Sequence, residues 1–191
     1  MKIRMELLSD AIFGNGMSIP GGEDISVLKD AQGFPYFKGS TFKGVFREEL
    51  QRYYEWQGES NPEEKVKVLL GFGRDDNILN ERKMVFSDFS LSNGVKKRVL
   101  AEIGENNPEQ VLSVFSHLRT FTSIADGGIA KDGTLRMGRC INQGLYFYSD
   151  LICKKDDEKD VKQVLELIKW IGTMRNRGFG KIRITIVEEK K

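Results

Sequence analysis

Alternating apolar and polar residues predict a strand at the start of the chain. Ile3, Met5 and Leu7 would share one side of this strand, with charged residues between them. A period of two is typical of a strand that buries one face and exposes the other. We therefore predict a half-buried strand over about residues 1–8.

A helix is predicted to follow a long irregular loop. Residues 9–34 show no periodicity and are rich in glycine. A loop of this length in a compact domain is usually functional or disordered. Ser40 or Thr41 can provide the N-cap of the next element, which continues at helical spacing to about Trp56. Its core-facing residues are expected to be Phe42, Val45, Phe46, Tyr53 and Tyr54.

Two further elements are predicted before the middle of the chain. Pro62 and Gly71 fit the first turn and the end of a short helix. Residues 83–91 then favour a strand, with Phe86 and Asp88 on the same face. Both faces of this strand mix apolar and polar residues, so its alternation is looser than that of the first strand.

The second half of the chain predicts a hairpin, two strands and two helices. A short helix near Pro108 precedes residues 118–140, where an extended stretch, a glycine-rich tip and a return indicate a projecting hairpin. An aromatic strand follows at 144–153, and residues 182–187 form a closing strand. The helix between these strands has acidic residues at its N-terminal end, where they favour the helix dipole. Its apolar face is made of Val161, Val164, Leu165, Ile168 and Ile171.

This order of elements predicts an α+β fold with a ferredoxin-like βαββαβ core. The two long helices would pack on one face of an antiparallel sheet. We expect one domain over residues 1–191, with its core at about 1–8, 40–92 and 143–191. The enlarged first loop and the hairpin at about 118–140 would be insertions into this core.

Composition is typical of a globular protein of the cytoplasm. The 191 residues are 39% apolar and 30% charged, and a net charge of +2 does not by itself call for a polyanionic partner. Cys140 and Cys153 are too few for a zinc site, and we expect reduced thiols. The first residues do not resemble a signal peptide, and no stretch approaches the roughly 20 apolar residues of a transmembrane helix.

A glycine-rich basic segment near the C-terminus is the first candidate for chemistry. It contains three basic residues and three glycines: Arg175, Arg177 and Lys181, and Gly172, Gly178 and Gly180. Glycines let backbone amides approach a phosphate closely, and basic side chains add positive charge. The spacing fits neither the phosphate loop of nucleotide triphosphatases nor a dinucleotide fingerprint. A tight turn with solvated arginines explains the pattern equally well.

The start of the first long helix is the second candidate. Lys43 and Arg47 are four residues apart and share one side of the helix, close to the expected cap at Ser40 or Thr41. A helix N-terminus with nearby cations can bind an anion. Ordinary capping with surface cations is the alternative interpretation.

Both segments resemble motifs of one protein family. GFPYFKGSTFKGVFR, residues 33–47, is similar to the Gly-hydrophobic-Pro-Tyr-Ile-Pro-Gly-Ser-Ser-hydrophobic-Lys-Gly motif of the RAMP superfamily, the repeat-associated proteins of CRISPR effector complexes. GTMRNRGFGKIRI, residues 172–184, resembles the C-terminal glycine-rich loop of that superfamily. The chain departs from the family pattern at Lys38, where proline is usual, and at Thr173, where a second glycine is common.

Within this superfamily, the chain most resembles the backbone subunit that polymerises along guide RNA in type III complexes. The similarity runs in order from GGEDISVLKDAQGFPY at 21–36 to TSIADGGIAKDGTLRMG at 122–138. It implies guide crRNA, complementary target RNA, further copies of the chain and other effector subunits as partners, and no membrane. It also implies that the hairpin wedges into the guide–target duplex. The residues implied in RNA binding are Ser40, Lys43, Arg47, Arg175, Arg177 and Lys181.

The catalytic aspartate of the family maps onto Asp24. In the family this residue supports metal-dependent cleavage of target RNA, so the resemblance implies an endoribonuclease with a divalent metal, Mg²⁺, at Asp24. RNA supplies its own nucleophile, the 2′-hydroxyl. The loop before Asp24 is shorter than usual in the family, and Ser26 stands where proline is typical. A solvated loop acid is the alternative interpretation of Asp24.

Two other functions stay open at this stage. A RAMP subunit that binds RNA and caps or scaffolds the complex without activity fits the shortened loop. A stand-alone guide-processing endonuclease usually has two ferredoxin-like halves and often depends on histidine, whereas this chain has one histidine, His117, without a convincing partner. Asp30 is expected to be a turn residue, and Asp126 is expected to belong to the hairpin.

Overall fold

An antiparallel sheet forms the centre of the computed structural model, which describes residues 1–18, 22–71, 84–124 and 127–187. The strands are β1 (Lys2–Leu7), β2 (Tyr36–Phe37), β3 (Val85–Phe86), β4 (Phe89–Ser90), β5 (Ser116–Phe121), β6 (Arg136–Ile141), β7 (Tyr146–Ile152) and β8 (Ile182–Val187). The helices are α1 (Gly39–Trp56), α2 (Pro62–Leu70), α3 (Asn93–Ile103), α4 (Pro108–Phe115) and α5 (Glu158–Leu167).

The order of strands in the main sheet is β2-β4-β7-β1-β8, and β3 also pairs with β7. Every pairing between these strands is antiparallel, and Met5 lies between Phe147 of β7 and Ile184 of β8. The predicted βαββαβ order is present as β1, α1, the β3–β4 segment, β7, α5 and β8. The predicted α+β fold is therefore confirmed.

Helices α1 and α5 bury their apolar faces against the sheet. Phe42 and Phe46 of α1 and Val161 and Val164 of α5 are fully buried in the same core as Ile3 of β1. This burial of aromatic and branched side chains is the main source of stability. The helices are also joined by a hydrogen bond, because the Tyr54 hydroxyl donates to Asp160 Oδ2 at 3.0 Å.

The single strand predicted over residues 83–91 is wrong, because two short strands occupy this segment. β3 and β4 are separated at Ser87 and Asp88, and the Asp88 carboxylate turns towards the start of α1. There its Oδ1 accepts a hydrogen bond from the Gly39 N–H at 2.8 Å. The predicted cap at Ser40 or Thr41 is likewise wrong, since α1 already begins at Gly39.

We expect the substitution Asp88→Ala to lower the free energy of unfolding by about 1 kcal/mol, because an N–H at the start of α1 loses its acceptor. Urea denaturation followed by circular dichroism measures this change. Asp88→Asn is the matched control, since its side-chain oxygen can still accept the bond. Equal losses in the two variants would contradict the capping role.

One helix was not predicted, and another differs from its predicted extent. α3 was missed: Ser92 caps it by accepting from the Val95 N–H, and its apolar residues Val99, Leu100 and Ile103 are only partly buried against the core. The predicted last helix is too long, because α5 ends at Leu167. Ile168 and Ile171 are buried as predicted, but they lie in the extended segment that follows.

The predicted hairpin is confirmed as β5 and β6, which pair antiparallel from Ser116 opposite Ile141 to Phe121 opposite Arg136. It forms a two-stranded sheet separate from the main one. A bridge between Ala11 and Ile141 joins its base to the loop after β1. Among the helices of the described residues, none has the length and apolar character needed to span a membrane.

Candidate functional site

The loop that carries Asp24 is docked on strand β6 of the hairpin. The Asp24 N–H donates to the Met137 carbonyl at 2.8 Å, and the Met137 N–H donates to Asp24 Oδ2 at 2.7 Å. Next to this pair, Ile25 forms a parallel bridge with Gly138, and the Arg139 N–H donates to the Ile25 carbonyl at 2.9 Å. The carboxylate of Asp24 therefore lies at the junction of the loop and the hairpin.

An ion pair beside Asp24 strengthens this junction. Arg139 Nε donates to Glu23 Oε1 at 2.6 Å, and the Nη1 of the same guanidinium donates to Ser116 Oγ at 3.1 Å. Only 12% of the Glu23 side chain and 15% of the Arg139 side chain are exposed. Charge-assisted bonds that are shielded from water are stronger than those on an open surface. The residue before Asp24 is thus held firmly against the hairpin.

Asp24 itself is exposed to solvent. Within the described ranges, no cluster of three or more His, Cys, Asp or Glu residues is arranged to hold a metal ion. Glu23, the adjacent acid, is already paired with Arg139. Mg²⁺ commonly binds through one or two carboxylates together with substrate phosphates. Among the described residues, Asp24 could supply one carboxylate to such an ion, and the Mg²⁺ site stays a prediction.

Cys140 and His117 are paired at the base of the hairpin, and the contacts of both are structural. Burial, and then the nearby Asp10 carboxylate, raise the pKa of the Cys140 thiol to about 11, although Arg119 opposes this. The thiol is therefore protonated at neutral pH and is a poor nucleophile or metal ligand. His117 Nδ1 lies 2.7 Å from Asn142 Oδ1, a contact that orients the ring.

The glycines of the C-terminal loop allow close contacts between backbones. Gly172 has a φ of +75°, and a Cβ at this position would lie 2.6 Å from the Ile12 carbonyl oxygen. Gly180 has a φ of +77°, and its Cβ would overlap the Ile171 carbonyl oxygen. Other residues rarely adopt such φ values, and no side chain fits in this space. The two glycines hold the loop against the chain beside it.

This packing presents the basic residues of the loop to solvent. Arg175 and Arg177 form a single turn of 3₁₀ helix that ends at Gly178, and both are exposed, as is Lys181. A groove of about 310 Å³ separates Arg175 and its neighbours from the first turns of α1. The α1 residues that line this groove include Thr41, Gly44 and Glu48. The structure thus brings the two predicted segments together, as the sequence motifs imply.

The predicted cations of α1 lie elsewhere on that helix. At about 100° per residue, Lys43 and Arg47 are roughly 160° and 120° around the helix from Thr41, which lines the groove. Arg47 Nη2 donates to the Gly71 carbonyl at 3.0 Å, at the end of α2. Ser40 is exposed at the start of the helix. Contact of Ser40, Lys43 and Arg47 with RNA stays a prediction, and the groove does not include them.

The hairpin also contacts the glycine-rich loop. The rings of Phe121 and Phe179 have centroids 5.7 Å apart, and the Arg119 guanidinium lies 5.1 Å from the centroid of Phe179. Asp10 joins the same parts, since its carbonyl accepts from the Gly180 N–H at 2.7 Å and its carboxylate lies 3.4 Å from Arg119. The acidic loop, the hairpin and the glycine-rich loop therefore form one continuous surface, which we call the loop–hairpin surface.

Sequence reasoning missed several residues of this surface. Glu23 lies in the irregular loop predicted over residues 9–34 and Arg139 in the return of the predicted hairpin, and the sequence assigned neither of them a role. Asp30 is confirmed as a turn residue, because its Oδ1 accepts from the Gln32 and Phe34 N–H groups. The predicted position of Asp126 lies outside the described residues.

Comparison with known proteins gives a family and a fold. A model of the RAMP superfamily matches residues 4–183. A chain from the "Cryo-EM structure of the Type III-B Cmr-beta bound to cognate target RNA" aligns with a TM-score of 0.70 and 13% identity, over 96% of this chain and 95% of that chain. A chain of the Type III-B Cmr-beta apo state aligns over the same shares with a TM-score of 0.69 and 13% identity. The search of curated proteins finds no match. At this identity, the solved structures show similarity of fold.

Proposed function

The chain belongs to the RAMP superfamily, and we propose that it binds guide crRNA as a backbone subunit of a type III CRISPR effector complex. One observation carries this proposal: the acidic loop, the hairpin and the glycine-rich loop are in direct contact and form the loop–hairpin surface. Its likeness in fold to a chain of a Type III-B Cmr-beta complex bound to target RNA supports the same function. Its other partners would be target RNA, further copies of itself and other effector subunits.

RNA would be bound through its phosphates rather than its bases. Arg175, Arg177 and Lys181 are exposed on a loop whose backbone is held by glycines, so their charges stay close together. Contacts from basic side chains to phosphates are independent of sequence, which a subunit that accepts any guide requires. The hairpin would lie against the guide–target duplex and separate neighbouring segments of it.

Cleavage of the target strand would use Asp24. Its exposed carboxylate is held by the Met137 N–H, so it could receive a target nucleotide brought to β6 of the hairpin. There it would orient the 2′-hydroxyl of the target for attack on the adjacent phosphate. A divalent ion such as Mg²⁺, held by Asp24 and RNA oxygens, would supply stabilisation of negative charge.

A second candidate function is an RNA-binding RAMP subunit without activity. The observation that favours it is the engagement of Asp24, whose Oδ2 already accepts the bond that fixes the loop to Met137. A carboxylate with this structural role, and without a cluster of three or more possible metal ligands around it in the described residues, would serve a scaffold equally well. The two candidates share RNA binding and differ in cleavage.

We expect the double substitution Arg175→Glu, Arg177→Glu to weaken binding of single-stranded RNA, with the slope of log K against log salt reduced by about 1.4 units. Each lost phosphate contact on a single strand removes about 0.7 of a released counterion. Fluorescence anisotropy of a labelled 20-nucleotide RNA, measured between 50 and 300 mM KCl (about two-fold steps), gives the affinity at each salt concentration and the slope of log K against log salt.

The matched control is Lys97→Glu, Arg98→Glu, which makes the same charge change on α3, where both side chains are exposed. An equal loss of affinity in this control would show that net charge, and not the glycine-rich loop, governs binding. Unchanged binding in the Arg175, Arg177 variant would contradict the proposed contacts.

A further inference from the structure

A second groove lies next to the one between α1 and the glycine-rich loop. It has a volume of about 410 Å³ and runs between α1 and the chain that follows α5. Val45 and Arg175 line both grooves, so the two are adjacent. Its volume is within the range of about 300–1,000 Å³ that small-molecule sites occupy. The motifs discussed above assign it no role.

An aromatic side chain is presented to this groove by a rigid backbone. Trp170 lies in the extended segment after α5 and forms an antiparallel bridge with Lys181. The adjacent hydrogen bonds, from the Ile171 N–H to Gly180 and from the Ile182 N–H to Lys169, fix the segment on both sides. Trp170 is 36% exposed, while its neighbour Ile171 is fully buried. Ile171 therefore packs in the core, and the indole of Trp170, one residue before it, lines the groove.

The charge around the indole is mostly positive. Arg52, Lys169 and Arg175 line the groove, and Lys169 and Arg175 are exposed. One acid, Glu49, also lines it and is paired with Arg52 at 2.8 Å. An indole face next to guanidinium and ammonium groups suits a flat aromatic ring that carries a negative group. A nucleotide has both features.

We propose that this groove binds one nucleotide of a single-stranded RNA, with its base stacked on Trp170 and its phosphate at Arg175. The inference rests on the proposed RNA-binding function and adds a defined stacking position to it. Because Arg175 lines both grooves, a strand that crosses the glycine-rich loop can place a phosphate there and its next base on the indole. Stacking on an aromatic residue accepts any base, as a guide-binding subunit needs.

The chain allows a direct optical test, since it has two tryptophans. The variant Trp56→Phe leaves Trp170 as the sole indole and does not alter the groove. The variant Trp170→Phe leaves Trp56, which is 71% exposed at the end of α1. Titration of each with a 12-mer oligouridylate should quench the emission of Trp170 in a saturable way and leave that of Trp56 unchanged.

Affinity gives a second measurement on the same RNA. Trp170→Ala should weaken RNA binding by about 5- to 150-fold in anisotropy, as expected for the loss of one stacked base, whereas Trp56→Ala should have little effect. Uridine monophosphate alone should quench Trp170 only at much higher concentration than the 12-mer. Quenching by the mononucleotide at the same concentration would overturn the assignment to a strand.

The outcomes separate this inference from the proposed function. RNA binding in anisotropy without a change in Trp170 emission would overturn the stacking site, because the strand would then bind elsewhere on the chain. A protein partner as the natural occupant of the groove would give that same result. Absence of RNA binding in the unaltered chain would instead contradict the proposed function itself.

Discussion

The substitution Asp24→Asn is expected to reduce cleavage of complementary RNA by about 10²- to 10⁴-fold while guide binding is unchanged. The amide oxygen of Asn can still accept the bond from the Met137 N–H, which Asp24 Oδ2 accepts at 2.7 Å. The loop would therefore stay docked on the hairpin, and the negative charge alone would be lost. A carboxylate that orients the 2′-hydroxyl or shares a divalent ion needs that charge.

The measurement uses the assembled effector complex that contains the chain, with its guide RNA and Mg²⁺. A 5′-labelled complementary RNA is resolved on a denaturing gel, and the rate of each product is compared between variants. Asp132→Asn is the matched control, because Asp132 is an exposed acid on the same hairpin.

An unchanged set of products from the Asp24→Asn complex would favour the scaffold function over the catalytic one. Asp24→Ala adds a further distinction, since it removes both the charge and the acceptor for Met137. If Asp24→Ala lowers RNA binding or stability and Asp24→Asn does not, the role of Asp24 is to hold the loop in place. If both variants bind RNA normally and neither cleaves it, the carboxylate acts in the reaction.

The substitution Gly180→Ala is expected to lower the free energy of unfolding by about 2–4 kcal/mol. The Cβ would overlap the Ile171 carbonyl oxygen, and that carbonyl belongs to a backbone held on both sides by hydrogen bonds. Its φ of +77° adds strain for any residue with a side chain. Overlap with fixed backbone cannot be relieved by a change of rotamer, so the loop must shift.

Gly178→Ala is the matched control for this substitution. Gly178 has a similar φ of +86°, but a Cβ there would meet open space. Its expected cost is therefore the strain alone, about 1–2 kcal/mol. Thermal or urea unfolding of both variants measures the difference. Equal losses would mean that backbone strain, and not close approach of the two segments, makes glycine necessary at position 180.

The sequence alone was sufficient where a helix or strand buries one regular face. Ile3, Met5 and Leu7 alternate with charged residues, and all three are buried in β1. Phe42, Phe46 and Tyr54 recur at helical spacing and form the core face of α1. Such periods reflect the local geometry of the backbone, which neighbouring residues determine.

Hydrophobic periodicity did not predict two features of the fold that depend on tertiary contacts. α3 buries no residue fully, and its apolar residues Val99, Leu100 and Ile103 are only partly buried against the core. The strand predicted over 83–91 is interrupted where Asp88 bonds to the distant Gly39 N–H, 49 residues away in the chain. The first feature has a weak local signal, and the second depends on a partner that only folding supplies.

For the candidate site, the residue types and their family motifs were readable in advance. The glycines and arginines of residues 172–181 and the acid Asp24 were identified from the chain alone, and so was the hairpin that lies between them. Contact among these parts was expected from motif order, but the residues that make it were not. Phe179 and Arg139 became visible only through their contacts with Phe121 and Glu23.

The sequence by itself thus determined the α+β fold, the positions of most helices and strands, and the family. Tertiary structure decided which of the predicted cations line the groove beside α1. Arg175 lines it, whereas Lys43 does not, because the turn of α1 places Lys43 on another side of that helix. It also decided that Glu23 holds Arg139 and that Trp170 faces outward. These choices depend on long-range packing, and packing couples residues that no local period relates.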